Sequence, residues 1–242
     1  MERWQWAAGH RLSLGLCVPI TVLANGIDPQ VVVSKHARGP RPGGDVGEEG
    51  IAEDTQAVID LSVALASESP SLSLLQRILL TTDGTVTHIL EAYSGEAIEV
   101  VKLFQSHDEA RPPEVSALGL AERERVLRRT ILLRGRESGT TYLHADSVIL
   151  PDRLQAGVRV GLIMTNKPIG RLLRENRTET FREIVAVWQE AAGGRADHFG
   201  VAATDAMMCR TYRVFSRQRV IMAITERFPL TAFRASAAAL AH

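Results

Sequence analysis

Cysteine is nearly absent from the 242 residues: Cys17 and Cys209 lie far apart and form no C-x-x-C spacing. That excludes a disulfide scaffold, a zinc ribbon and a thioredoxin-like motif. A chain of this length can hold itself together by hydrophobic burial alone, so a reducing cytoplasm is the expected compartment. Long apolar runs are missing too, since none reaches the roughly 18 residues that a bilayer span needs. The nearest, residues 12–24, is broken by Pro19. Nor is there an excess of either charge: 28 basic residues face 28 acidic ones, which argues against nucleic-acid binding through bulk electrostatics. The sequence contains no phosphate-binding glycine loop, dinucleotide fingerprint, nucleophile elbow or H-E-x-x-H helix, so nucleotide, nicotinamide, serine-hydrolase and zinc-peptidase chemistry lack their usual signals.

What is present is unevenly distributed. Residues 1–70 hold five basic and nine acidic side chains, whereas residues 71–242 hold 23 and 19. A mildly cationic domain suits a small anionic ligand. Residues 36–50 include seven Gly or Pro in fifteen and read as a flexible linker. The expected organisation is therefore an extension and linker over residues 1–50, a folded domain over 51–234 and a frayed Ala-rich tail over 235–242. Within the domain, residues 51–68 and 72–80 read as amphipathic helices. Residues 85–93 and 96–105 read as a hairpin of two strands bracketed by Asp83-Gly84 and Ser94-Gly95. Residues 125–134 and 140–150 form a second pair, 154–165 and 169–175 two short helices, and 209–215 and 219–228 a last pair of strands. Residues 178–189 fit a helix or a buried strand equally. About six strands joined mostly by tight turns predict an α+β domain with one antiparallel sheet and helices packed on it.

Strand alternation carries the functional signal, because residues two apart point to one side. Val220, Met222, Ile224, Glu226 and Phe228 share a face; so do Leu127, Arg129, Ile131 and Leu133; so do Ile98, Val100, Lys102 and Phe104. Three charges, Lys102, Arg129 and Glu226, thus point inward among apolar side chains. An ion stranded in a core costs several kcal/mol without a partner. Either Arg129 and Glu226 pair with each other while Lys102 snorkels to the sheet edge, or the three line a cavity for a small dianion. His144 and Asp146 lie on the opposite parity and are expected in solvent, as is the run Arg123, Arg125 and Arg128 beside Arg129.

At these positions the sequence resembles the chorismate pyruvate-lyase family, over residues 74–233. Asp83-Gly84-Thr85-Val86-Thr87 is similar to the family's opening turn and strand, with Val86 where the family often has Met. Val126-Leu127-Arg128-Arg129-Thr130-Ile131-Leu132-Leu133 resembles the strand carrying the family's carboxylate-binding arginine, which implies that role for Arg129. Lys167-Pro168-Ile169-Gly170-Arg171 resembles a Pro-Leu-Gly-Arg segment whose backbone contacts the ligand, implying Ile169 and Gly170. Ile224-Thr225-Glu226-Arg227-Phe228 resembles a Thr-Glu-Leu-Phe strand, implying that Glu226 is the ligand-binding and acid–base carboxylate. The resemblance further implies a buried ligand cavity, a strand at residues 178–189, chorismate as substrate, pyruvate and 4-hydroxybenzoate as products, and no metal or organic cofactor. Lys102, by parity alone, is expected to balance the second negative charge. No nucleic acid, membrane or obligate protein partner is expected. Two alternatives stay open: an effector-sensing domain of the same fold without catalysis, and a lyase giving a different hydroxybenzoate.

Overall fold

A computed structural model describes residues 72–120 and 123–233; the helix expected at 51–68 and the expected linker and tail lie outside them. The chain enters through a capping box. The Ser73 hydroxyl accepts from the Gln76 amide at 3.2 Å and the Ser73 amide donates to Gln76 Oε1 at 2.8 Å, which starts helix α1 (Leu74–Thr81). Residues 85–93 then depart from expectation, for they form helix α2 (Val86–Ser94) rather than a strand. Val86, its neighbour Thr87 and Leu90 are all buried while His88 is exposed, a helical pattern that strict alternation cannot satisfy. Gly95 ends the helix in the left-handed region at φ 71°.

Six strands follow: β1 (Ile98–Glu109), β2 (Arg125–Gly135), β3 (Thr141–Ile149), β4 (Phe181–Ala191), β5 (Ala206–Ser216) and β6 (Arg219–Pro229). They form one antiparallel sheet in the order β1-β2-β3-β6-β5-β4. The sheet is two three-stranded meanders joined where β3 pairs with β6. Residues 178–189 thus contribute a strand. Between β1 and β2 lies an unanticipated short helix α3 (Pro112–Leu118), and the meanders are connected through α4 (Ala156–Met164) and α5 (Ile169–Glu175). Helices α1, α2, α4 and α5 cover one face, burying Leu79, Leu90, Val158 and Leu172 against Leu127, Leu143, Ile149 and Met222. A bulge between Lys102 and Phe104 shifts the register of β1. Lys102 stays opposite Ile131 on this inner face, while Phe104 moves opposite Thr130 and becomes exposed, correcting the expectation that both point inward.

The other face is also covered, and this overturns two expectations. His144 is 5% exposed because helix α6 (Ala196–Phe199) packs over it, with the His144 and His198 rings stacked at 6.2 Å. Beside it Arg227 bridges Asp146 and Glu190, 2.7 Å from each. Burial lowers the His144 pKa to about 4, with Asp146 opposing and Arg227, Arg195 and His198 assisting. Arg128 is not a solvated side chain either: it pairs with the fully buried Glu114 of α3 and, at 3.1 Å, with Asp108. A basic residue of outward parity is thus held in a charge cluster under α3, while Arg125 remains exposed and meets Asp152 at 2.9 Å.

Candidate active site

On the inner face the register places residues in transverse rows. One row runs Lys102, Ile131, Ala145, Glu226, Arg210, Val187; the next runs Gln105, Arg129, Ser147, Ile224, Tyr212, Ile184. Arg129 and Glu226 therefore stand two strands apart and two residues offset, about 12 Å between backbones at the usual strand spacing and rise. Both are buried, at 3% and 5% exposed. They border a common hollow that opens to solvent at its mouth.

The two charges are treated differently. Glu226 is fully engaged: Arg210 Nε donates to Oε2 at 2.8 Å and the Tyr212 hydroxyl donates to Oε1 at 3.0 Å. Arg210 is 1% exposed and also donates to the Thr82 carbonyl at 2.8 Å, fixing the loop before α2 to the sheet. Burial, reinforced by Glu226, pushes the Tyr212 phenol up, so its hydroxyl stays a donor. Arg129 by contrast has no acidic partner among the described residues. Its Nε and Nη2 are buried without any hydrogen-bond acceptor there, and burial holds its pKa below the ordinary guanidinium range. The expected alternative of an Arg129–Glu226 pair is not what forms, because Arg210 takes the carboxylate.

Val86, Ile169, Gly170, Arg129 and Glu226, all singled out from the sequence, border the hollow. Gly170 does so at close quarters, since a Cβ there would lie 3.0 Å from Thr85 Cγ2. Lys102 does not border it; it is half-buried on the flank of Arg129, its pKa lowered by burial and by that arginine. Gln105, directly across from Arg129, has a buried Oε1 without a donor among the described residues. Sequence reasoning missed Arg210, Tyr212 and Arg182. The first two share the parity of Met208 and Val214 on β5, so the same alternation that found Glu226 marks them. Arg182, which borders the hollow from β4, is hidden by the register shift between Ile184 and Ala186. Among the described residues no cluster of three or more His, Cys, Asp or Glu is placed to hold a metal, and no helix is long and apolar enough to cross a membrane.

Comparison with known proteins identifies the family and the fold. The family described as Chorismate pyruvate-lyase Rv2949c-like matches residues 80–235. The chain belongs to this family. Two relatives called chorismate pyruvate-lyase come from Mycobacterium tuberculosis, 34% identical over 161 residues that cover 65% of this chain and 81% of that protein, and from Mycobacterium leprae, 31% identical over 65% and 75%. The crystal structure of the effector domain of PhnF from Mycobacterium smegmatis superposes with a TM-score of 0.50 at 16% identity, covering 62% of this chain and 91% of that one; this likeness concerns the fold alone.

Proposed function

We propose that the protein is a chorismate pyruvate-lyase that eliminates pyruvate from chorismate to give 4-hydroxybenzoate. The observation that carries this reading is the unpartnered buried guanidinium of Arg129 facing the same hollow as Glu226. A buried cation with free donors in two adjacent positions is complementary to a carboxylate held bidentately, each charge-assisted bond being worth about 1.5–3 kcal/mol. With the ring carboxylate on Arg129, the far end of the ring reaches the Glu226 row. There the ring hydroxyl and the C4 proton face Glu226. Loss of that proton moves its electron pair into the ring as the C3–O ether bond breaks, and the departing enolpyruvate takes up a proton at its methylene carbon to become pyruvate. Aromatisation supplies the driving force, so the protein's task is to orient the substrate and accept the proton. Arg210 and Tyr212 fix the Glu226 oxygens during this step. Val86, Ile169 and Gly170 shape the walls, and Lys102 adds positive charge beside Arg129 from outside the lining. The reaction as written needs no metal or organic cofactor, and a cytoplasmic location suits it.

Purified protein incubated with chorismate should release pyruvate and 4-hydroxybenzoate, identified by NMR. Arg129→Ala and Glu226→Gln should each lower kcat/KM at least 100-fold while the proteins stay folded by circular dichroism. Full activity in both variants refutes the assignment. Binding of chorismate without turnover identifies a sensing domain instead, and a different aromatic product identifies a lyase of altered outcome.

A further inference from the structure

Three charged side chains border the hollow: Arg129, Glu226 and Arg182. Glu226 is already neutralised from behind by Arg210 at 2.8 Å. That leaves two guanidinium groups at the lining, and no carboxylate among the described residues pairs with either. Among those residues the Arg182 side chain makes a single hydrogen bond, from Nη1 to the Asp83 carbonyl at 2.6 Å, so its other donors are available. Arg129 stands on β2 and Arg182 on β4, four strands apart and two residues offset in the sheet, or about 20 Å between backbones. Both side chains border the same hollow, from strands on either side of β6 and β5. Glu226 and Tyr212 lie on the strands between these two arginines.

We propose that Arg182 binds the second carboxylate of a dianionic ligand, the enolpyruvyl carboxylate if the lyase reading above is right, and so distinguishes the dicarboxylate substrate from the monocarboxylate aromatic product. This rests on that reading for the identity of the ligand but on the charges at the lining for the role of the residue. It moves the second charge contact away from Lys102, which does not border the hollow. It also gives the contact a structural consequence, because the same guanidinium holds the Asp83 carbonyl in the loop before α2. While both carboxylates are covalently joined through the ring, the substrate is gripped from both ends; once the ether bond breaks, the aromatic product keeps only the Arg129 end. Arg182 then acts on substrate binding and leaves product affinity untouched.

The test compares two ligands on three proteins by isothermal titration calorimetry, with chorismate and 4-hydroxybenzoate as probes and wild type, Arg182→Gln and Arg182→Lys as hosts. Where turnover is fast, KM replaces Kd for chorismate. Arg182→Gln should weaken chorismate at least tenfold and change 4-hydroxybenzoate by less than twofold. Arg182→Lys, which keeps the charge, should recover most of the lost chorismate affinity. Arg129→Gln serves as the contrast and should weaken both ligands. Equal loss of both ligands in Arg182→Gln makes the residue a loop anchor only and overturns the proposal, as does unchanged chorismate affinity. If Arg182→Gln fails to fold, the ratio of the two affinities in Arg182→Lys decides, an unchanged ratio to wild type with both ligands weakened being the overturning result. The lyase reading fails separately, when wild type binds chorismate but does not turn it over, and the Arg182 assignment is still decided by the affinity ratio. Wild type that binds neither ligand sinks both.

Discussion

Replacing Arg210 by Met in the ligand-free protein strands Glu226 in the core. Arg210 and Glu226 are 1% and 5% exposed and meet at 2.8 Å, so water cannot take over the lost contact. Breaking a buried pair by removing one partner costs about 3–5 kcal/mol, and the Thr82 carbonyl loses its donor as well. For a domain of this size 1 kcal/mol corresponds to roughly 2–4 °C in Tm, so Arg210→Met should lower it by about 6–20 °C. Glu226→Gln alone should also be destabilising, because it leaves the Arg210 charge without its counterion. The double variant removes both charges. The side-chain amide introduced by Glu226→Gln still accepts from the Tyr212 hydroxyl, so Arg210→Met/Glu226→Gln should return to within about 1–1.5 kcal/mol of wild type, and once the loss in Glu226→Gln is added the coupling energy exceeds about 3 kcal/mol. Urea unfolding of the four proteins, with m-values compared to confirm a common unfolded state, measures this. A cost below 1 kcal/mol for Arg210→Met, or a double variant that loses the sum of the two single losses, refutes the view that the pair is desolvated and mutually dependent.

The opposite sign is expected at Arg129. Its buried nitrogens have no acceptor among the described residues, so Arg129→Met should stabilise the free protein by about 1–3 kcal/mol while abolishing binding of 4-hydroxybenzoate; thermal unfolding and calorimetry together check it, and a destabilised variant counts against an unpartnered guanidinium. On the far face, His144 takes up a proton near 6.5 in the unfolded chain but only near 4 when folded. The folded state therefore binds fewer protons between those values, and stability falls as pH drops, by about 2 kcal/mol between pH 7.5 and pH 5 from this group alone. Urea midpoints at both pH values for wild type and His144→Leu test it; the variant should lack that share of the loss, and equal drops in the two proteins contradict the assignment.

How far the sequence could be read follows from which rule each residue obeys. Alternation located Arg129 and Glu226 because β2 and β6 run through the inner rows without interruption there. It failed at Phe104 and did not reach Arg182 because register shifts in the two edge strands reverse the parity, and a bulge leaves no compositional mark. The Glu226 partner was legible in kind but not in identity: a buried carboxylate needs a cation, and pairing across β5 and β6, which decides between Arg129 and Arg210, is a tertiary fact. Residues 85–93 misled because β-branched residues and flanking turns mimic a hairpin arm, whereas the burial of Val86 with Leu90 comes from packing on the sheet. His144 and Arg128 misled for a related reason. Outward parity means solvent only if nothing covers that face, and here α3 and the segment around α6 do.

The meeting of the two meanders along β3 and β6 has a consequence for how occupancy and rigidity are linked. Arg129 belongs to the half before that seam; Glu226, Arg210, Tyr212 and Arg182 belong to the half after it. A guest touching both Arg129 and Glu226 therefore spans that seam and ties the two halves together across it, in addition to the β3–β6 ladder itself.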